Sequence, residues 1–530
     1  MAVFRATGGG SPFLTVCQRS VNAHSMERQV TLYKPQMQLK QPAVGVVTIL
    51  CAALAVGIIA LEGSPPAGIV VTVDASSEVG TIPTRLGTQF VWPGTLDSSA
   101  AARARFMDLA PSLVRIDATT LGSASVLPAG KTKGDWSFDN LNSMVKDVRA
   151  ANGEVLLTVA YAPEWMWDCH GGGIRDATFG EFGDYMARLV AYFNVGSFVA
   201  ENGARIGNPV GIANRIAYWE LWNEPDQIEG CPPSGNRITP EQYVAMWNGV
   251  VPKMIAVDPT IKLIGPATSQ AATAHGSDYV AALMAGATRK PDAISFHAYG
   301  GWLNSQGDRF LIDGQGTSFG LAGIEDGLAR VKAWAPNTPV WITELNVDSA
   351  WDRDDPASRS WTAFGAAWGA SAFRRLATAG ANAIFQYQFA HPALRQFSLV
   401  DAHTGAPLLS YWRDYYLARY FPPGSTLLAS SSNFAGVESL AARVPGDSIH
   451  VLVVNRQVGN DAVVGSSGRP ATVRIDVRDP GELTAVTSRV LDSSTPLESG
   501  PPAASLSTRD AVSIAFSGYA AAFLEYSRRG

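Results

Sequence analysis

Residues 216–226 read IAYWELWNEPD: an apolar run that begins as a strand and ends on Asn223, Glu224 and a strand-breaking Pro225. The same texture recurs along the chain. LGTQFVW (86–92), SLVRID (112–117) and EVLLTVAY (154–161) precede it, and IKLIGPA (261–267), AISFHAY (293–299), PVWITEL (339–345) and NAIFQYQF (382–389) follow. Between these eight runs lie longer stretches of helical periodicity. Repeated β–α units require a parallel sheet, and eight of them predict a closed (β/α)8 barrel, which takes about 250 residues.

After the eighth run the pattern changes. SYWRDYYLARYF (410–421) has helical spacing and is stopped by Pro422-Pro423. Alternating segments then follow: SIHVLVVN (448–455), ATVRIDV (471–477), AVSIAF (511–516) and AAFLEYS (521–527). Separated by Gly, Ser and Pro, they predict an antiparallel β-sandwich, to which GIVVTVDAS (68–76) adds a strand before the chain enters the barrel. The predicted organisation is a leader (1–41), an apolar segment (42–61), a linker and strand (62–85), the barrel (86–421) and the sandwich (422–530).

The segment PAVGVVTILCAALAVGIIAL (42–61) carries no charge and is long enough to span a bilayer as a helix. Arg28, Lys34 and Lys40 precede it and Glu62 follows, so the positive-inside rule puts the remainder outside the cell. If translation starts at Met37 the segment is a signal-sequence core; if at Met1, it is an anchor. Either way the expectation is an exported protein, secreted or membrane-anchored. The 530 residues carry 41 Lys and Arg against 46 Asp and Glu, a net charge of −5 without a basic block, which argues against nucleic acid as a partner. Cys169 and Cys231 are the two cysteines of the exported part, and both sit in Gly/Pro-rich loop sequence. Outside the cell they predict a disulfide between the loops after the third and fourth strands.

In a (β/α)8 barrel the active site forms at the C-terminal ends of the strands. Glu224 and Glu344 both end otherwise apolar strands. Carboxylates are costly to desolvate without a partner or a task, and two in one mouth predict a glycosidase pair. Glu220 shares parity with Glu224 and is predicted to be a buried acid paired with Arg115.

The ordered set VRID (114–117), AYAPEWM (160–166), ELWNEPD (220–226), SFHAYG (295–300) and WITELN (341–346) resembles the clan A retaining glycoside hydrolases. It is most similar to family 39, the group of β-xylosidases, α-L-iduronidases and bacterial exopolysaccharide glycosidases. The resemblance implies that Glu224 is the acid/base and Glu344 the nucleophile. It further implies that Asn223 bonds the sugar 2-hydroxyl, that Tyr299 donates to the nucleophile, and that Arg115 supports that carboxylate. Strict alternation would turn Asn223 away from Glu224, so for both to reach the site the strand must end there in a bulge or turn. His297 shares parity with Tyr299 and joins the site on that ground. Asp117 and Asp348 could contact sugar hydroxyls or cap helices. Of Trp92, Trp165, Trp167, Trp302 and Trp351, two are expected as sugar platforms, Trp165 and Trp302 first. The eighth strand departs from the pattern: it reads FQYQF, without the Trp that many clan A enzymes place under the reacting sugar.

Seven scattered His and the absence of HExxH or paired CxxC predict no metal and no cofactor. The expected function is hydrolysis of glycosidic bonds in an extracellular oligo- or polysaccharide. Two other readings stay open: a non-catalytic glycan-binding protein on a degenerate barrel, and a clan A arabinofuranosidase or endoglucanase.

Overall fold

The computed structural model describes residues 68–90, 93–94, 96, 99–118, 132–168, 173–227, 237–270, 274–303, 305–350, 359–459, 464–479, 483–507 and 512–528. The apolar segment 42–61, Cys169 and Cys231 lie outside them, and with them the predicted anchor and disulfide. Among the described residues no helix is long and apolar enough to cross a membrane.

All eight predicted strands are present and close into a parallel barrel. In chain order they are Arg85–Phe90, Leu113–Ala118, Glu154–Val159, Tyr218–Leu221, Lys262–Thr268, Ala293–Tyr299, Val340–Asn346 and Ala383–Gln386. Closure is made by the eighth strand pairing with the first, Ala383 opposite Arg85. Helices cover the outside, so the strands are buried on both faces and read as nearly continuous apolar runs. Inside, Leu113, Leu156, Ile264, Ala293, Trp341, Ala383 and Phe385 plug the N-terminal end of the barrel. Gly87 belongs to this crowded layer: a Cβ there would lie 2.7 Å from the Leu113 carbonyl oxygen. Polar residues of the same inward parity come next toward the mouth.

Among the described residues nine further strands form a single sheet, and two short two-stranded ribbons, Trp167–Asp168 with Gly173–Ile174 and Ser197–Val199 with Arg205–Gly207, make up the rest. Ile69–Thr81, from before the barrel, pairs antiparallel with Thr426–Ser432 and parallel with Ala471–Arg478. All other pairings in the nine-stranded sheet are antiparallel. Four strands of the nine-stranded sheet are not foreshadowed by sequence pattern: Thr426–Ser432, Val437–Arg443, Leu483–Leu491 and Ala504–Leu506. VESLAAR (437–443) is rich in helix formers, yet it is held between neighbours and buried along nearly its whole length, so packing overrides propensity. One face of the sheet has its own core, including Val71, Val73, Val451 and Leu524. The other contributes Leu440, Leu452 and Phe523 to the core of the barrel.

A polar lock joins the two. Glu438 of the sheet accepts from Arg375 at 2.6 Å and from Arg456 at 2.9 Å, and Ser371 also donates to it. Ser371 and Arg375 lie on the barrel helix Ala363–Thr378. A second tie runs from Asp308 to Ser466 and Tyr519. Burial opposes the charge on Glu438, but Arg456, Arg375 and Arg374 outweigh it and hold the carboxyl at about 2. A depressed value stabilises the fold above the unfolded carboxyl range and is lost as pH falls from about 4.5 to about 2. Glu438→Gln should therefore cost about 3–5 kcal/mol at pH 7, by leaving buried guanidinium charge unpaired. The deficit, followed by urea unfolding, should shrink as pH falls through that window; a deficit independent of pH would contradict the assignment.

Candidate active site

The site is built on Arg115, on the second barrel strand and fully buried. Its Nε donates to Glu220 Oε2 at 2.7 Å, Nη1 to Glu344 Oε1 at 2.6 Å, and Nη2 to Asn223 Oδ1 at 2.6 Å. One planar guanidinium thereby fixes residues from the fourth and seventh strands. Glu220 also accepts from Thr158 at 2.7 Å. Burial opposes its charge, but Arg115 and His297, with hydrogen bonds from Ser295 and Thr158, hold its carboxyl below the ordinary range. The predicted Arg115–Glu220 pair is present.

Glu344 reaches the site through a break in alternation. Trp341 faces inward in the apolar plug, so regular pleating would turn residue 344 outward. The register against the sixth strand shifts between the Ile342 and Glu344 pairings, and that bulge returns Glu344 to the interior. Every close partner on its two oxygens can act as a donor: Arg115 and Gln89 (3.3 Å) on Oε1, Tyr299 (2.5 Å) and, more distantly, His297 (3.4 Å) on Oε2.

Glu224 arrives by a turn. The fourth strand ends at Leu221, and Trp222 and Glu224 adopt φ of 75° and 44°, left-handed values disfavoured for such side chains. The turn is held by Trp222, which is fully buried, and by bonds from Asn223 N to Ala160 O and from Glu224 N to Ala267 O. Asn223 and Glu224 thus both reach the site, as the turn predicted at the strand end requires. Glu224 Oε1 lies 2.8 Å from His297 Nδ1. Burial, together with the charges of Glu344 and Asp226, pushes the Glu224 carboxyl up against the pull of His297. Burial lowers the His297 value, but Glu344 and Glu224 raise it more.

These groups open onto a cavity of about 590 Å³ lined by Asp117, Asn223, Glu224, Gln270, Tyr299, Glu344 and Tyr387, with Trp302 and Phe319 at its rim. Trp302 is 44% exposed and tilts against Phe319 at 4.4 Å. Trp165, expected as a sugar platform, packs against the barrel core with Lys133 over its ring and is not among the residues that line this cavity. Trp167 is buried, donates to the Ala162 carbonyl and tilts against Trp222. Trp92 and Trp351 lie outside the described residues. Asp348 accepts from Ala350 N, the bond of a local turn. Sequence reasoning missed Gln89 and Tyr387. Inward parity with Gly87 and Phe385 marks both, and Tyr387 lies in the FQYQF stretch that lacks a Trp. Glu224, His297 and Glu344 offer ligand atoms within 4.8 Å of one another, a spacing a small cation could share.

Removing Arg115 should expose what it compensates. In Arg115→Gln the buried Glu220 loses the cation that holds its carboxyl low, so it takes up a proton in the folded state and the loss is greatest where it must stay charged. The expected cost is about 3–5 kcal/mol at pH 8, shrinking toward pH 5, read from denaturant unfolding. A cost constant between those pH values would contradict this electrostatic role.

Residues 206–368, which span the fourth to seventh strands, match the family described as glycosyl hydrolase catalytic core. No curated protein matches the chain in sequence. Among solved structures, a glucosidase from Croceicoccus marinus is 15% identical, with a TM-score of 0.61, covering 88% of this chain and 100% of its own. A monomeric β-xylosidase from Caulobacter crescentus CB15 is 17% identical (TM-score 0.60; 87% and 100% covered), and the GH39 enzyme from Xanthomonas axonopodis pv. citri is 15% identical (0.60; 86% and 97%). Over residues 206–368 the chain is thus similar to the glycosyl hydrolase catalytic core, and its fold is that of these enzymes, the family 39 enzyme among them.

Proposed function

We propose that the protein is a retaining O-glycosidase that cleaves an oligo- or polysaccharide outside the cell, with Glu224 and Glu344 as its two catalytic carboxyls. The observation that carries this reading is their closeness and asymmetry: oxygens of the two lie within 4.8 Å of each other, in unlike surroundings. Retaining enzymes hold their carboxyls about 5–5.5 Å apart, whereas inversion needs roughly 6.5–9.5 Å to admit a water. The charge-free segment 42–61 supports export.

Glu344, ringed by donors, attacks the anomeric carbon as the glycosidic bond breaks. Glu224 gives its proton to the leaving oxygen, and the glycosyl group is left as an ester on Glu344. Water then enters; Glu224 takes its proton while the oxygen attacks the same carbon, and Glu344 is released. Arg115 holds Asn223 by its amide oxygen, so donation to a sugar hydroxyl falls to the amide nitrogen. A glycan-binding module has no need of this pair.

Alanine variants separate the roles. Glu224→Ala should still form the glycosyl ester from dinitrophenyl glycosides and, with azide, give a glycosyl azide of retained configuration. Its kcat/KM should also lose the basic limb that the raised Glu224 carboxyl imposes on the wild type. Glu344→Ala should lose at least about 10⁴-fold in kcat/KM, and azide should then give inverted product. The opposite pattern of azide products, or wild-type rates in either variant, would overturn the assignment.

A further inference from the structure

Asp117 ends the inward row Leu113–Arg115–Asp117 on the second strand, one step nearer the mouth than Arg115. It is 6% exposed and lines the cavity beside Glu224 and Glu344. Its Oδ1 is buried without a hydrogen-bond partner. Three neighbouring donor side chains are turned to other acceptors: Arg115 gives Nε and both terminal nitrogens to Glu220, Glu344 and Asn223, while Gln89 and Tyr299 donate to Glu344. A buried carboxylate oxygen left unpaired is costly, and the cost is recovered when a ligand brings a donor.

We infer that Asp117 determines glycone specificity, accepting a hydrogen bond from a sugar hydroxyl other than the 2-hydroxyl, and that the glycone is neutral rather than a uronic acid. This rests on the glycosidase reading above and adds the substrate class. A hydroxyl is the donor that a sugar offers to this oxygen, which accepts it with the carboxyl ionised. A uronide carboxylate would instead meet Asp117, Glu224 and Glu344 on the cavity wall. The groups facing Asp117 agree: burial, with Glu344 and Glu220 nearby, pushes its carboxyl up to about 7 against Arg115 and His297, a strain that a donated hydrogen bond relieves.

The test uses the full chain with 4-nitrophenyl glycosides. The probes are the neutral pyranoside turned over fastest, its 2-, 3-, 4- and 6-deoxy analogues, and the uronide of the same configuration. In the wild type, one deoxygenation at position 3, 4 or 6 should cost about 10- to 100-fold in kcat/KM, the worth of a hydrogen bond to a charged group. In Asp117→Ala that penalty should vanish, while the 2-deoxy penalty, which belongs to Asn223, persists. Asp117→Asn, which keeps size and an acceptor oxygen, should fold as the wild type does and show an intermediate penalty. The uronide should be at least tenfold poorer than the neutral parent. Deoxy penalties that are the same in wild type and both variants, or a uronide as good as the parent, would overturn the inference and leave the glycosidase reading standing. A wild type inactive on every glycoside would overturn both.

Discussion

The structure depends on a charge placed where charge is expensive. Arg115 lies inside the barrel with no contact with water, and burying such an ion costs several kcal/mol unless its hydrogen bonds are met. Its three partners come from two different strands, and two of them are themselves buried acids. None of the three would be stable there alone. The arrangement is therefore a condition of folding as well as of chemistry: Glu220 neutralises the base of the site, while Glu344 and Asn223 are set at angles dictated by one rigid planar group.

Around that centre the backbone departs from regular geometry at the places where side chains must be re-aimed. The bulge before Glu344 and the left-handed Trp222 and Glu224 both break the two-residue period of a strand. Left-handed backbone costs on the order of 1–3 kcal/mol per non-glycine residue and persists only where neighbours enforce it. Here Trp222 sits edge-on against Phe182 and tilts against Trp167 in the barrel core, and the backbone amides of residues 222–224 all find carbonyl partners. Local regularity is given up so that two carboxyls from opposite sides of a barrel meet within a few ångströms.

Much of this is legible in the chain itself. Eight apolar runs with β-branched and aromatic residues announce the barrel, and acids at the ends of two of them announce the carboxyl pair. The inward Glu220 follows from parity, and the turn at Asn223 from parity together with the resemblance that puts Asn223 and Glu224 in one site. What the pattern hides has physical reasons. The bulge at Thr343 is invisible because nothing in VWITELN differs from a straight strand. VESLAAR pairs as a strand through burial, against its own propensity. Trp165 resembles a sugar platform in composition, but a tryptophan serves a core equally well, and its place next to Lys133 is set by tertiary packing. Gln89 and Tyr387 carry no charge and stand in no recurrent motif; parity marks them as inward, but the closed barrel is what sets them beside the acids.

The central claim is that two glutamates act in succession through a covalent glycosyl ester on Glu344. Proton NMR of the sugar first released by the wild type, recorded before mutarotation, tests it most directly. The account predicts a product with the anomeric configuration of the substrate; first-formed product of inverted configuration would contradict it.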